Sequence, residues 1–412
     1  MEHYITEISI QKLRHLSDII ISLNIEQRQH LIITGKNGSG KTSLLLALQK
    51  YLQAINDNNL DYLMKDCIPG LRKAEEELNK AKTEEEKNEI KRSFNYETRI
   101  RTIKKYADGV NVSFNSSEYL HSLFGQGNFI TAFFPANRKT QIVRSKGVED
   151  IKLKDAYAVT SQPGQLLHQY MVHLKTQQAY ARNEGDTVIV DRIQSWFKRF
   201  VDALRILLDD DTIDLEYDYK EYDFKIHESG RNPFGLEELS DGYSSVIQIL
   251  SDLILRMDKN WLLGDGISQY DIEGIVLIDE IETHLHIGLQ KKIMPFLTEF
   301  FPRIQFIITT HSPYILNSLL NAKVYDLENC MELENLSVYS ADDLAEGYFG
   351  VDEYSDRLKE KISKYKELKE KSDLTDAEHA ERARLRCELQ NISRGVSLEI
   401  ADILHDIEEK QL

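Results

Sequence analysis

Apolar residues in this chain gather into short unbroken runs that end in glycine or carboxylate, with longer stretches between them where they recur at helical spacing. Leu31, Ile32 and Ile33 lead into Gly35-Lys36-Asn37-Gly38-Ser39-Gly40-Lys41-Thr42, and Leu44-Leu45-Leu46-Ala47-Leu48 follows. That order predicts a buried strand, a glycine-rich loop and a helix. Gly274-Ile275-Val276-Leu277-Ile278 is a second buried-strand pattern and delivers Asp279 and Glu280. Ile304 through Ile308 is a third, delivering Thr309, Thr310, His311 and Ser312. Between them, Leu239-Ser240-Asp241-Gly242-Tyr243-Ser244-Ser245 precedes the helix-like Val246-Ile247-Gln248-Ile249-Leu250. The pattern predicts an α/β fold with a parallel sheet, whose ligands bind beyond the carboxyl ends of the strands.

The intervening stretches read as helices. From about Asp57 to Tyr106 the chain is rich in Glu, Lys and Ala with sparse Leu and Ile, a charged helical hairpin or lid arm. Two more helices are expected between Gln162 and Asp209, the second carrying Ile193, Trp196, Phe197, Phe200, Val201 and Leu204, which read as packing residues rather than a base-stacking platform. In the tail, Leu358, Ile362, Tyr365 and Leu368 form a narrow apolar stripe, Thr375-Asp376-Ala377-Glu378 is a capping box, and Ser397 can cap a last helix through Ile407. The stripe fits a helical hairpin closing on its own core or a contact to another subunit or partner. The organisation predicted is 1–55 as the first part of a core, 56–127 as a charged helical insertion, and 128–145 as a further core segment. Residues 146–211 then form a helical arm, 212–325 the second part of the core, and 326–412 a helical tail.

The glycine-rich loop is a complete Walker A element. Its backbone N–H groups, from Asn37 through Ser43, can turn around a triphosphate at a helix N-terminus. Lys41 reaches the β- and γ-phosphates, and the Thr42 hydroxyl holds Mg²⁺. Gly38, Ser39 and Gly40 complete the cradle. The run ending in Asp279-Glu280 reads as Walker B, with Asp279 at the Mg²⁺ and Glu280 where a water attacks the γ-phosphate. His311 falls at the same sheet edge and fits a γ-phosphate sensor, with a structural histidine as the bland alternative. Ser240 and Gly242 form a second helix-N-terminal anion site.

Composition narrows the class. The 412 residues carry a net charge of −17, so contact with DNA would need a local basic patch. Lys91-Arg92 with Arg99, Arg101, Lys104 and Lys105 is one candidate, and Arg138-Lys139 with Arg144 and Lys146 another. No apolar run approaches the roughly 20 residues of a membrane span, and the start lacks the pattern of a signal peptide, so a cytoplasmic location without membrane contact is expected. Cys67, Cys330 and Cys387 fit reduced thiols.

Walker A, the Leu239–Ser245 element, Walker B and the histidine, in this order, resemble the RecF/SMC/OLD-type branch of ABC ATPases. Ile5 to Arg14 and Asp18 to Leu23 resemble that branch's first two strands, Leu239–Ser245 its signature, and Glu280-Ile281-Glu282-Thr283-His284-Leu285-His286 its Walker B to D-loop run. Phe133-Phe134-Pro135-Ala136-Asn137-Arg138 stands where a Q-loop would be, with Arg138 and Gln141 as its nearby polar residues. The departures are Asp241 at the signature's usual first glycine, Tyr243 where transporters have Gln or Glu, and no aromatic residue to stack on adenine, although Lys12 or Arg14 could pack near the base. The resemblance implies an ABC-type P-loop ATPase head with inserted helical arms and a helical tail. ATP and Mg²⁺ are its cofactors, Glu280 and His311 its catalytic residues, Thr42 and Asp279 its metal ligands, and Arg138 a further nucleotide contact. It also implies a homodimer or higher homo-oligomer in which the signature of one copy completes the site of the other.

After His311 no Asp-x-Asp metal pair of a TOPRIM nuclease follows; Glu346-Gly347 lacks the preceding strand. A head with arm and tail but no effector domain resembles the ATPase subunits of two-component anti-phage systems, PARIS first and the Septu and retron-associated ATPases next. That implies a separate effector nuclease, of TOPRIM type for PARIS or HNH type for Septu, and a phage trigger protein. A RecF-like repair ATPase binding DNA directly is the alternative.

Overall fold

The apolar runs become the strands of one sheet. The computed structural model describes residues 2–138, 144–263 and 271–334, and further on chiefly 356–371 and 373–393. Strands β1 (Ile5–Leu13) and β2 (Leu16–Ser22) form a tight hairpin, and β3 (His30–Thr34) leads into the glycine-rich loop and helix α1 (Lys41–Asn56). A π-helical turn, Tyr62–Cys67, opens the insertion, followed by α2 (Ile68–Lys80), α3 (Glu84–Ser93) and α4 (Tyr96–Tyr106). Strand β4 (Val110–Phe114), the short α5 (Leu120–Gly125) and β5 (Phe129–Phe134) return to the core. The arm helices are α6 (Leu167–Glu184) and α7 (Thr187–Leu208), then come β6 (Asp214–Asp218), β7 (Asp223–His227) and β8 (Phe234–Gly235). The second half of the core is α8 (Asp241–Leu263), β9 (Glu273–Ile278), α9 (Ile287–Phe300), β10 (Ile304–Thr309), α10 (Pro313–Leu316), β11 (Ala322–Asp326) and β12 (Met331–Leu333).

The central sheet runs β12-β11-β3-β10-β9-β5, parallel throughout except for the antiparallel edge strand β12. Ile308 is in register with both Ile32 and Ile278, and Thr34 with Asp326. The carboxyl ends of β3, β9, β10 and β11 therefore lie along one edge. Its inner strands β3, β10 and β9 are buried along almost their whole length because both faces of the sheet are covered there: α1 buries Leu44, Leu45, Leu48, Tyr51, Leu52 and Ile55 in a core shared with Leu31, Ile33, Leu277 and Ile307 and with the antiparallel sheet β2-β1-β4. Truncating one of these leucines to alanine costs about 2–5 kcal/mol. The two sheets are stitched by the fully buried Gln305, whose Oε1 accepts from the Ile5 N–H at 2.7 Å and whose Nε2 donates to the carbonyls of Ile5 and Gln29, each at 2.9 Å.

Helix α8 is fastened to the sheet by Arg256, whose guanidinium is held in a buried ion pair with Asp252 one turn earlier on the same helix. Arg256 Nε donates to Asp252 Oδ1 at 2.5 Å, and its Nη1 donates to the carbonyls of Thr131 at 2.9 Å and of Tyr157 and Ala158 at 3.2 Å. On α7 the aromatics pack as expected. Trp196 stacks on Phe200 with centroids 5.5 Å apart, and its Nε1 donates to Asp258 Oδ2 at 2.6 Å, tying α7 to α8.

Two expected boundaries move. Residues 56–127 are not helical throughout, because Val110–Phe114 pairs with β1 and extends the antiparallel sheet. The head does not end at 325 either: β11 lies between β3 and β12, and the first compact unit runs from Met1 to Tyr339, the second from Ser340 to Leu412. In the second unit α11 (Asp356–Glu370) and α12 (Asp376–Ser393) form a hairpin. Tyr365 and Leu368 bury against Leu385 and Leu389, with Leu358 and Ile362 partly buried beside them, so the stripe closes on its own hairpin. The Thr375 capping box forms with Glu378. Gln141, the Glu346-Gly347 pair and the helix expected from Ser397 to Ile407 lie outside the described residues. No helix among the described residues is long and apolar enough to cross a membrane.

Candidate functional site

The loop after β3 turns through three glycines with positive φ, Gly35 at 124°, Gly38 at 88° and Gly40 at 102°. Gly40 is required by its backbone, since it caps α1 in the left-handed region, and a Cβ there would also press on Leu16 Cδ1 at 2.8 Å. At Gly38 a Cβ would meet nothing within 4 Å, so the loop opens into space. Asn37, Gly38, Gly40, Lys41, Thr42 and Ser43 line a cleft together with Glu280 and with Arg14 and His15 of the β1–β2 turn. Arg14 is the residue of the expected pair that reaches the cleft; Lys12 is not part of its lining.

Lys41 is buried, and its Nζ donates to the carbonyls of Gly35 at 2.6 Å and Lys36 at 3.0 Å, which holds the ammonium inside the loop. Burial lowers its pKa, opposed by the carboxylates of Glu280, Glu282, Asp279 and Asp326. Asp326, at the end of β11, is fully buried; its Oδ1 accepts from the Glu328 N–H at 2.8 Å and lies 3.1 Å from where a Cβ on Gly35 would stand. The sequence reading missed this residue. Its signal was an aspartate ending a strand at the carboxyl edge.

Walker B is built between two strands. Asp279, buried just past β9, accepts at Oδ1 from the Thr309 hydroxyl at 2.6 Å, and the same oxygen of Thr309 accepts from the Glu280 N–H at 2.7 Å. Glu280 itself has φ 45°, a left-handed conformation that disfavours a side chain by roughly 1–2 kcal/mol. The sequence names the Thr309 segment but not this role. The backbone N–H of His311 donates to Glu282 Oε1 at 2.5 Å, which fixes where β10 delivers the imidazole. Burial lowers the His311 pKa, and the Lys41 cation lowers it further against Glu282, Glu280 and Asp279, so the ring is neutral at pH 7.

Arg138 takes a different place from the nucleotide contact expected of it. Its guanidinium is buried behind Walker B with all five N–H groups directed at protein acceptors: Ser245 Oγ and the carbonyls of Pro135, Asp279, Glu280 and Ile281. The reason is local. Three consecutive carbonyls after β9 turn away from the sheet ladder, and the strand end after β5 lies beside them.

The signature-like element is linked to the run after Walker B. Gly242 is buried where a Cβ would meet the His284 carbonyl at 2.5 Å, and Tyr243 Oη pairs with His286 Nε2 at 2.9 Å. Ser240 is exposed. Among the described residues, none of the 239–245 element lines the Walker A cleft of its own chain. Of the basic candidates, Lys105 pairs with Asp57 at 3.0 Å and Arg144 with Glu237, and Lys139 lies outside the described residues.

The donors fit a Mg-nucleotide. Ser39 Oγ and His311 Nε2 are buried with no hydrogen-bond partner among the described residues. The open loop at Gly38, the Lys41 ammonium and the carboxylates of Asp279 and Glu280 supply what a triphosphate and a hard cation require.

Several known proteins are similar. Septu protein PtuA of Bacillus mycoides strain KBAB4 is 39% identical over 127 residues, 31% of this chain and 16% of that protein. The retron Ec83 probable ATPase of Escherichia coli is 37% identical over 92 residues, 22% of this chain and 17% of that protein. These matches thus span less than a fifth of the relatives' own length. Among solved structures, the SMC head domain from Thermotoga maritima aligns at 12% identity with a TM-score of 0.36, covering 79% of this chain and 94% of that one. The sequence family described as "AAA domain, putative AbiEii toxin, Type IV TA system" matches residues 31–317. That span contains Walker A, the signature-like element, Walker B and the histidine, and the chain belongs to this family.

Proposed function

We propose that this protein binds and hydrolyses Mg-ATP in the cleft between the Gly35–Thr42 loop and Glu280, and that it does so as the ATPase of an anti-phage defence system. The observation that carries the reading is the convergence of Lys41, Thr42, Asp279, Glu280 and His311 on the carboxyl edge of one parallel sheet. Thr42 and Asp279 would hold Mg²⁺, whose charge offsets that of the β- and γ-oxygens. Lys41 adds a cation there. Glu280 lines the cleft and accepts a proton from the attacking water, while neutral His311 offers a hydrogen bond at the γ-phosphate. Ser240 and Gly242 lie outside the cleft of their own chain, which supports their use in trans, in a homodimer or higher homo-oligomer.

The likeness to a Septu protein and a retron ATPase supports the defence reading. It favours an HNH-type effector nuclease as the separate partner over the TOPRIM type that the PARIS resemblance implies, with a phage trigger protein releasing the effector. Purified full-length chain tests the reading: Mg-dependent ATP turnover is expected, with DNA and RNA left intact. Absence of turnover, or nuclease activity that survives Lys41→Ala, overturns it.

A further inference from the structure

One side chain joins the base to the signature helix. Arg138 Nη1 donates to the Asp279 carbonyl at 2.6 Å and the Pro135 carbonyl at 3.1 Å, and Nη2 to the carbonyls of Glu280 at 3.0 Å and Ile281 at 3.3 Å. Its fifth donor, Nε, reaches Ser245 Oγ at 2.8 Å in the first turns of α8. Both residues are almost fully buried, and only a planar fork with five donors can hold four carbonyls and a hydroxyl at once. Burial pulls the guanidinium pKa down to about 10, opposed by Glu282, Asp279 and Glu280, so it stays charged at neutral pH.

The grip falls on the strained residue. Glu280 is held at φ 45° by Thr309 on its N–H and by Arg138 on its carbonyl. The direction of its carboxylate follows from that backbone. Any movement of α8 along its axis displaces Ser245, and through the guanidinium it displaces the Asp279, Glu280 and Ile281 carbonyls.

We propose that Arg138 is a positioning residue that couples the stance of Glu280 in one nucleotide site to the seating of α8, whose Ser240–Gly242 end completes the site of a second copy. The inference rests on the shared-site ATPase reading. Nucleotide captured by the signature of one chain sets α8, and α8 sets the base of that same chain, so the two sites of a dimer fire together.

The test uses full-length chain with steady-state ATP turnover and titration of a fluorescent ATP analogue. Wild type is expected to show a Hill coefficient above 1. Ser245→Ala leaves the four carbonyl bonds and removes the link to α8; its Hill coefficient is expected to fall to 1, while Ser245→Thr, which restores a hydroxyl, keeps the wild-type value. Arg138→Lys keeps the charge without the fork, and kcat is expected to fall about tenfold or more with nucleotide affinity within about threefold. A purely structural role would lower folded yield without that split between kcat and affinity. If Arg138→Lys does not fold, the two Ser245 variants decide alone. Non-cooperative wild-type turnover, or Ser245→Ala with wild-type kcat and Hill coefficient, overturns the coupling and leaves the ATPase reading standing. Absence of wild-type turnover removes both.

Discussion

The Thr309 hydroxyl sits between two acidic residues of the neighbouring strand end, donating to Asp279 Oδ1 at 2.6 Å and accepting from the Glu280 N–H at 2.7 Å. A single oxygen thereby orients the Asp279 carboxylate and the Glu280 backbone. Thr309→Val preserves the shape of β10 but leaves a buried carboxylate oxygen and a buried N–H unpaired, at a cost of about 2 kcal/mol. Turnover is expected to fall about tenfold or more through loss of alignment, and Thr309→Ser to stay near wild type. Thermal unfolding and ATP turnover on the same samples check this; equal turnover in the Val and Ser variants counts against the role.

Lys41 and Glu280 line one cleft, and the proposed mechanism gives them different steps. Lys41→Ala removes a buried cation from the phosphate site, and ATP affinity is expected to drop about 10- to 100-fold. Glu280→Gln keeps the shape and removes the base, so ATP stays bound while turnover falls by about 10²- to 10⁴-fold. Nucleotide binding by calorimetry beside phosphate release separates them. A Glu280→Gln variant that hydrolyses at the wild-type rate rules out Glu280 as the base.

Because no residue of 239–245 lines the cleft of its own chain among the described residues, Lys41→Ala and Ser240→Arg should complement each other. In an equal mixture, half the dimers are mixed and each keeps one intact composite site, so recovery up to a ceiling of about a quarter of wild-type turnover is expected where neither variant alone has any, and less to the extent that the two sites fire together. Turnover of the mixture, with exchange verified by two affinity tags, measures it. No recovery in demonstrably mixed dimers whose chains also carry the uncoupling Ser245→Ala argues that the site is not shared.

His30 opens β3, and its Nδ1 accepts from the Phe306 N–H at 3.1 Å, which requires a neutral ring. Burial, with Arg28 adding to it, lowers its pKa to about 4. The unfolded chain then binds the extra proton first as pH falls below about 6.5. This contribution to stability is complete above that pH and is lost as pH falls toward 4, amounting to about 2 kcal/mol between pH 7 and pH 5. Urea unfolding at the two pH values should show a smaller drop for His30→Asn than for wild type. Equal drops dissociate the acid sensitivity from this histidine.

The glycine-rich loop between Ile33 and Leu44, the Asp279-Glu280 pair after an apolar run and His311 after another were legible in the sequence because each is a local pattern. Strand ends of a parallel sheet share an edge, so naming the strands already brought Lys41, Asp279, Glu280 and His311 to one place. The apolar spacing of α7 likewise announced its buried face. Beyond reach were the relationships in which a side chain addresses backbone or a distant element. Arg138 answers four carbonyls, whose availability depends on how the chain leaves β5 and β9. Thr309 bridges two strands that are adjacent only in the folded sheet. Asp326 joins the site because β11 pairs with β3 and carries the head past the boundary expected at 325. Side-chain pattern records which residues prefer burial and at what period. Which backbone groups lose their sheet partners, and which polar side chain must then satisfy them, is decided only when the strands have come together.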